Sequence, residues 1–163
     1  MSVSVYTPEN KMIHETYVDF ISRYIGKPVH VVQGDKELPI VAVKLYSRGV
    51  VTSINDIIAA ASTAFINVRC RDKKGNMVYS PALGINESGN IIFFEVSENM
   101  TNESGIVHVI VELICDGSVA QSSEVILDVD RNPVWNYKEP QGGGVSFKVI
   151  KQPTKIVDYE EVT

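Results

Sequence analysis

The sequence predicts a mainly β protein: an antiparallel β-sandwich with an amphipathic helix before it and an extended arm after it. Three observations predict this. Apolar and polar residues alternate in several stretches between Ile40 and Val129, the period of half-buried strands. Glycine accompanied by Asn, Asp or Ser separates those stretches. Ahead of residue 29 the apolar residues instead recur at helical spacing. The chain therefore divides into a helical arm (1–28), a sandwich (29–130) and a C-terminal arm (131–163).

The helix is expected from about residue 8 to about residue 25. Thr7 can cap it, Pro8 suits its first position, and Glu9 sits near the positive end of the dipole. Ile13, Tyr17, Phe20, Ile21 and Tyr24 would form one apolar stripe, and Gly26 and Pro28 would end the element. Such a stripe must pack on this chain's own sheet or on another subunit.

The strands follow. In 40–46, Val41, Val43 and Leu45 share a face. In 64–71 the inward set is Ala64, Ile66, Val68 and Cys70, with Asn67, Arg69 and Arg71 outward. In 105–115 it is Val107, Val109, Val111, Leu113 and Cys115, with His108 and Glu112 opposite. In 123–129 it is Val125, Leu127 and Val129. Ser53–Ala61 reads as a short helical turn. Asp116-Gly117 is the strongest hairpin signal in the chain. Gln33-Gly34-Asp35 is followed by Leu38-Pro39 and strand sequence rather than by a helix. It therefore reads as a joint between two strands and not as an anion cradle. Beyond Arg131-Asn132-Pro133 come Trp135, Tyr137, a Gly142-Gly143-Gly144 linker, a further strand over Val145–Val149 containing Phe147, and an acidic end.

Composition narrows the function. The 163 residues suffice for one domain with a real core, and 44% hydrophobic with 21% charged residues is ordinary for a folded protein. A net charge of −5 without a basic block argues against a nucleic-acid partner. No run approaches ~20 apolar residues, so no membrane partner is expected. The first residues lack the pattern of a signal peptide, so synthesis in a cytosol is expected and the Asn-X-Ser/Thr sequences at Asn86, Asn99 and Asn102 are not read as glycosylation sites.

No catalytic constellation emerges, and no enzyme, cofactor or metal site is expected. His14, His30 and His108 each stand without a ligand-spaced partner. Asp116, Asp128 and Asp130 lack the spacing of a calcium loop. Cys70 and Cys115 read as reduced, inert thiols; a cross-sheet disulfide would need matching geometry and an oxidising compartment. Trp135 and Tyr137 read as anchors for a packed arm, with sugar stacking as the other use of such aromatics.

One succession of motifs resembles a known family. It runs from Gln33-Gly34-Asp35 through Phe65-Ile66-Asn67-Val68-Arg69, Asp72-Lys73-Lys74-Gly75 and Asn90–Val96. It continues through Met100-Thr101, Gly105, Val111-Glu112-Leu113, Asp116-Gly117 and Gln121-Ser122-Ser123. Over roughly residues 29–130 this is similar to the N-terminal domain of upper baseplate proteins of tailed phages and to modules at the bases of head and tail fibres. The resemblance implies an immunoglobulin-like β-sandwich with a non-enzymatic, structural role in the virion. It also implies a homo-oligomer, a trimer or a higher symmetric assembly, anchoring or forming part of a fibre, baseplate or capsid decoration. Its partners would be further copies of itself and other virion structural proteins. On that reading Ile13, Tyr17, Phe20, Ile21, Tyr24, Trp135, Tyr137 and Phe147 are the subunit-interface candidates, and the terminal arms gain order on assembly. The alternative is a sugar- or protein-binding sandwich acting through its loops, with Trp135 or Tyr79 as contacts.

Overall fold

The computed structural model describes residues 3–71 and 75–133. All but the last of these fall in a compact unit spanning Met1–Asn132. Trp135, Tyr137, Phe147, the glycine linker and the expected strand at Val145–Val149 lie outside the described residues.

Eleven strands and two short helices follow in order: β1 Met12–Asp19, β2 Val29–Val32, β3 Pro39–Ser47, β4 Val50–Val51, α1 Asn55–Ala60, β5 Ala64–Arg71, β6 Met77–Pro81, β7 Gly84–Ile85, β8 Ile91–Glu95, α2 Glu98–Thr101, β9 Gly105–Cys115, β10 Ser118–Gln121 and β11 Val125–Asp130. They form two sheets. The first runs β1-β3-β8-β7, with β4 paired to β3; the second runs β2-β11-β9-β5-β6, with β10 paired to β9.

The alternating stretches become strands with the inward sets expected of them. Val41, Val43 and Leu45 of β3, Val68 of β5, Val109 and Val111 of β9, and Val125 and Leu127 of β11 have no solvent exposure. Together with Phe94, Ile92 and Val96 they form a single core cluster to which both sheets contribute. Asp116 and Gly117 join β9 to β10 in a two-residue hairpin with φ of 50° and 85°. Both central residues thus have positive φ, which matches the twist of paired strands. Ser53–Ala61 holds α1, whose Ile58 is buried.

Two expectations are corrected. The sheets are mixed, not antiparallel throughout: β1 pairs with β3 in parallel, and so does β2 with β11. Nor is there a helix over residues 8–25. Asn10 takes a left-handed φ of 58°, and Met12–Asp19 is an edge strand of the first sheet. The reason lies in the spacing. Residues four apart share a face in a helix, but they also share a face in a strand, where the period is two. Ile13, Tyr17 and Ile21 satisfy both. Ile13, Thr16, Tyr17 and Val18 favour extended backbone, and pairing along all eight residues of β1 adds ladder hydrogen bonds. Phe20 and Tyr24 belong to the loop that follows β1.

The joint at Gln33-Gly34-Asp35 carries the chain from β2 in one sheet to β3 in the other. Gly34 has φ 99°. Asp35 accepts the Val32 N–H at 2.9 Å and returns its own N–H to the Val32 carbonyl at 2.9 Å. Gln33, which is buried, donates from Nε2 to the Asn102 carbonyl and accepts the Asn132 N–H. The Thr101 hydroxyl donates to the Asp35 carbonyl at 2.6 Å. These bonds hold the corner against the end of α2 and the residues after β11.

Candidate interaction surface

β1 displays one face to the core and one to the outside. Val18 and Thr16 point inward and are buried; Ile13 and Tyr17 are on the opposite face and stay exposed. The parallel register places Ile13 beside Ile40 and Tyr17 beside Lys44 on β3. The Tyr17 ring also meets Tyr46 edge-on, centroids 5.6 Å apart. Further along this outer face, Ile40, Ala42 and Phe93 form a second apolar cluster with Tyr6, Leu83 and Ile91 packed on it.

The chain's own first residues cover that second cluster. Tyr6 donates its N–H to Ile85 and Ile85 donates its own to Ser4, so the segment lies along β7. The Tyr6 ring sits 5.5 Å from that of Phe93. Gly84 is required here, because a Cβ would meet the Ser4 carbonyl at 2.5 Å and the Tyr6 Cβ at 2.7 Å. The cover stops short of β1, so the outer face passes from a covered apolar half to an open one.

The loop after β1 extends the open half. Ile21, Tyr24 and Ile25 are all more than half exposed, whereas Phe20 is partly buried against the main core. Asp19 fixes this loop. Its carboxylate is buried and accepts N–H groups from Ile21, Ser22, Arg48 and Gly49 at 2.7–3.1 Å. Burial pushes the carboxyl pKa up, but the four amides, Gly49 foremost, outweigh it and hold the pKa at about 2. Arg23 spans back to the other sheet through the carbonyls of Ser122 and Gln121. Gly26 lies against β1 so closely that a Cβ would meet the Tyr17 carbonyl at 2.5 Å.

Of the expected interface residues, the structure therefore gathers Ile13 and Tyr17 on one sheet face and puts Ile21 and Tyr24 on the adjoining loop. Phe20 it turns toward the interior. Tyr79 stands exposed on β6, in the other sheet.

The outer face of the second sheet has another character. Arg69 Nη2 lies 3.2 Å from Glu112, which also accepts from Gln121 Nε2 at 3.0 Å. His108 Nδ1 lies 2.8 Å from Glu124. His30 on β2 comes beside Asp128 and Asp130 of β11, a grouping that local spacing did not reveal because the two strands are almost a hundred residues apart. Asp116 holds the N–H groups of Thr63 and Ser62, and these keep its carboxyl below the usual range. Cys70 and Cys115 are not joined in a disulfide. Burial, with the Asp116 charge beside it, raises the Cys115 thiol pKa, which opposes formation of a reactive thiolate.

The fold and surface define a class: a two-sheet β domain with paired charges on the second sheet's outer face and a partly covered apolar cluster on the first's. No family model matches the chain, and no curated protein matches it. Among solved structures it is similar to the N-terminal domain of phage TP901-1 ORF48, with a TM-score of 0.58 at 7% sequence identity. The match covers 73% of this chain and 98% of that one. The likeness is one of fold, and it is to a phage protein domain. No helix among the described residues is long and apolar enough to cross a membrane.

Proposed function

We propose that this chain is a non-enzymatic structural protein of a tailed-phage virion. It would be built on an immunoglobulin-like plan and act as an oligomeric adaptor in a fibre, baseplate or capsid decoration. The fold likeness carries this reading, since it extends over nearly the whole of a phage domain. The surface supports it: Ile13, Tyr17, Ile21 and Tyr24 are exposed on and beside one edge strand. Apolar area left open in this way is the kind of surface that association covers. Trimer formation and docking to other virion proteins belong to the same proposal, with these side chains as the contact.

The test combines the mass of the purified chain in solution with mass spectrometry of gradient-purified particles from the source that carries the gene. The proposal expects a defined oligomer, or one that forms on assembly, and the chain at stoichiometric level in particles. A chain that stays monomeric and is absent from particles would overturn it.

A further inference from the structure

The parallel pairing of β2 with β11 sets His30 directly beside Asp128 in register. Asp130 lies two residues further along β11, and in a strand that returns its side chain to the same face. One donor atom from each of His30, Asp128 and Asp130 can be chosen so that all three lie within 4.8 Å of one another. We propose that these three side chains form a binding site for a borderline divalent transition-metal ion of the zinc class.

A second histidine–carboxylate pair in the same sheet shows what is particular about this one. His108 Nδ1 and Glu124 Oε1 are 2.8 Å apart, the length of a charge-assisted hydrogen bond, which runs to about 2.7–2.9 Å. His30 Nδ1 and Asp128 Oδ2 are 3.3 Å apart, longer than such a bond. That is the separation of two donors on a tetrahedral ion, about 3.3 Å when each ligand bond is about 2.0–2.1 Å. His30 also has a second carboxylate at hand, and among the described residues His108 belongs to no such group of three.

Charge and chemistry agree with the geometry. Among the described residues no lysine or arginine forms an ion pair with Asp128 or Asp130. Two carboxylates thus share one face with no cationic lysine or arginine paired to them among the described residues, and a divalent cation would neutralise them. Calcium and magnesium prefer oxygen shells of six or more ligands, for which two side-chain carboxylates are a poor start. An imidazole nitrogen with two carboxylate oxygens suits zinc, nickel or cobalt, with water completing the shell. The exposed His30 and Asp130 side chains are free to turn the small distance needed to close on an ion. The strand backbones, held by the ladder, fix where the donors start.

The test uses the full chain, purified without a histidine tag and freed of metal, titrated with cobalt(II) by visible absorption and with zinc(II) by calorimetry. The result expected is one saturable site per chain. His30→Ala and Asp130→Asn should each weaken binding by more than about tenfold, while His108→Ala should leave it unchanged and excess calcium should not displace cobalt. Circular dichroism establishes that each variant is folded, and Asp130→Asn preserves side-chain shape should His30→Ala not. Absence of saturable binding by the wild-type chain would overturn the proposal. So would a site that survives both His30→Ala and Asp130→Asn, one lost with His108→Ala, or one that calcium fills equally well.

Discussion

The outer faces of the two sheets rest on one shared core, yet they solve the problem of meeting water differently. The second sheet presents charged and polar pairs, Arg69 with Glu112, Glu112 with Gln121 and His108 with Glu124, among exposed apolar side chains such as Phe65, Ile106 and Tyr79. The first sheet presents Ile13, Tyr17, Ile40, Ala42 and Phe93. Its β8 side is covered by Tyr6 and Leu83, and its β1 side is open. Apolar side chains reach the outside of both sheets; the first sheet differs in that its β8 side is covered by the chain's own Tyr6 and Leu83. Where the chain itself covers the face, apolar residues are buried; where it does not, they remain exposed.

The largest expected effect tests whether both faces do rest on one core. Phe94 has no solvent exposure and belongs to the cluster between the sheets, while its neighbour Phe93 belongs to the outer one. Phe94→Ala should cost about 3–5 kcal/mol in denaturant unfolding, and Phe93→Ala distinctly less because its cavity lies under a thin cover that can collapse. Equal costs would erase the distinction between core and outer cluster.

Next is the loop that extends the open face. Gly26→Ala puts a Cβ 2.5 Å from the Tyr17 carbonyl. It should destabilise by about 1–3 kcal/mol, as overpacking does, and should disturb Tyr17 and Tyr24 resonances before those of the second sheet. A neutral substitution there would show that the loop is not held against β1.

Asp19 tests the same loop through pH. Its folded pKa is about 2, against an ordinary 3.8. The unfolded chain therefore binds the proton more readily than the folded one. The stabilisation from Asp19 is complete above about pH 4 and is lost as pH falls toward 2. Asp19→Asn should lower stability at pH 7 and flatten that acid limb. An unchanged acid limb would contradict the role of the four amides.

The smallest effect on stability should accompany the largest on association. Ile13→Lys and Tyr17→Glu alter exposed positions on an edge strand, and the new Glu would face Lys44 in register. Each should change unfolding free energy by less than about 1 kcal/mol while abolishing oligomer formation or incorporation into particles. Unimpaired assembly of the double variant would show that the open face is not the contact.

Much of the architecture was legible because each of β3, β5, β9 and β11 has one face in the core, so alternation survives in the local sequence. The hairpin at Asp116-Gly117 and the corner at Gly34 were legible because positive φ restricts the residues allowed there. β1 was misread because Ile13, Tyr17 and Ile21 fit both periods; the discriminating signal was Thr16 with Val18, two buried positions of equal parity and β-branched side chain. Parallel pairing was hidden because it joins segments far apart, β2 with β11 across most of the domain. The Asp19 carboxylate was hidden for a like reason, since two of its four donors come from Arg48 and Gly49. Five of the interface candidates, Ile13, Tyr17, Phe20, Ile21 and Tyr24, fit one helical stripe in the sequence, and the fold places them on a strand face, a loop and the core edge.

On the proposed function, the open outer face beside β1 is the contact surface and the second sheet's face is not. Hydroxyl-radical footprinting of free and particle-assembled protein tests it most directly. Tyr17 is 40% exposed in the first sheet and Tyr79 is 60% exposed in the second, so both report in the free chain. Strong protection of Tyr17 and Tyr24 on assembly, with Tyr79 unchanged, is the expected result. Protection of Tyr79 while Tyr17 and Tyr24 react as they do in the free chain would contradict it.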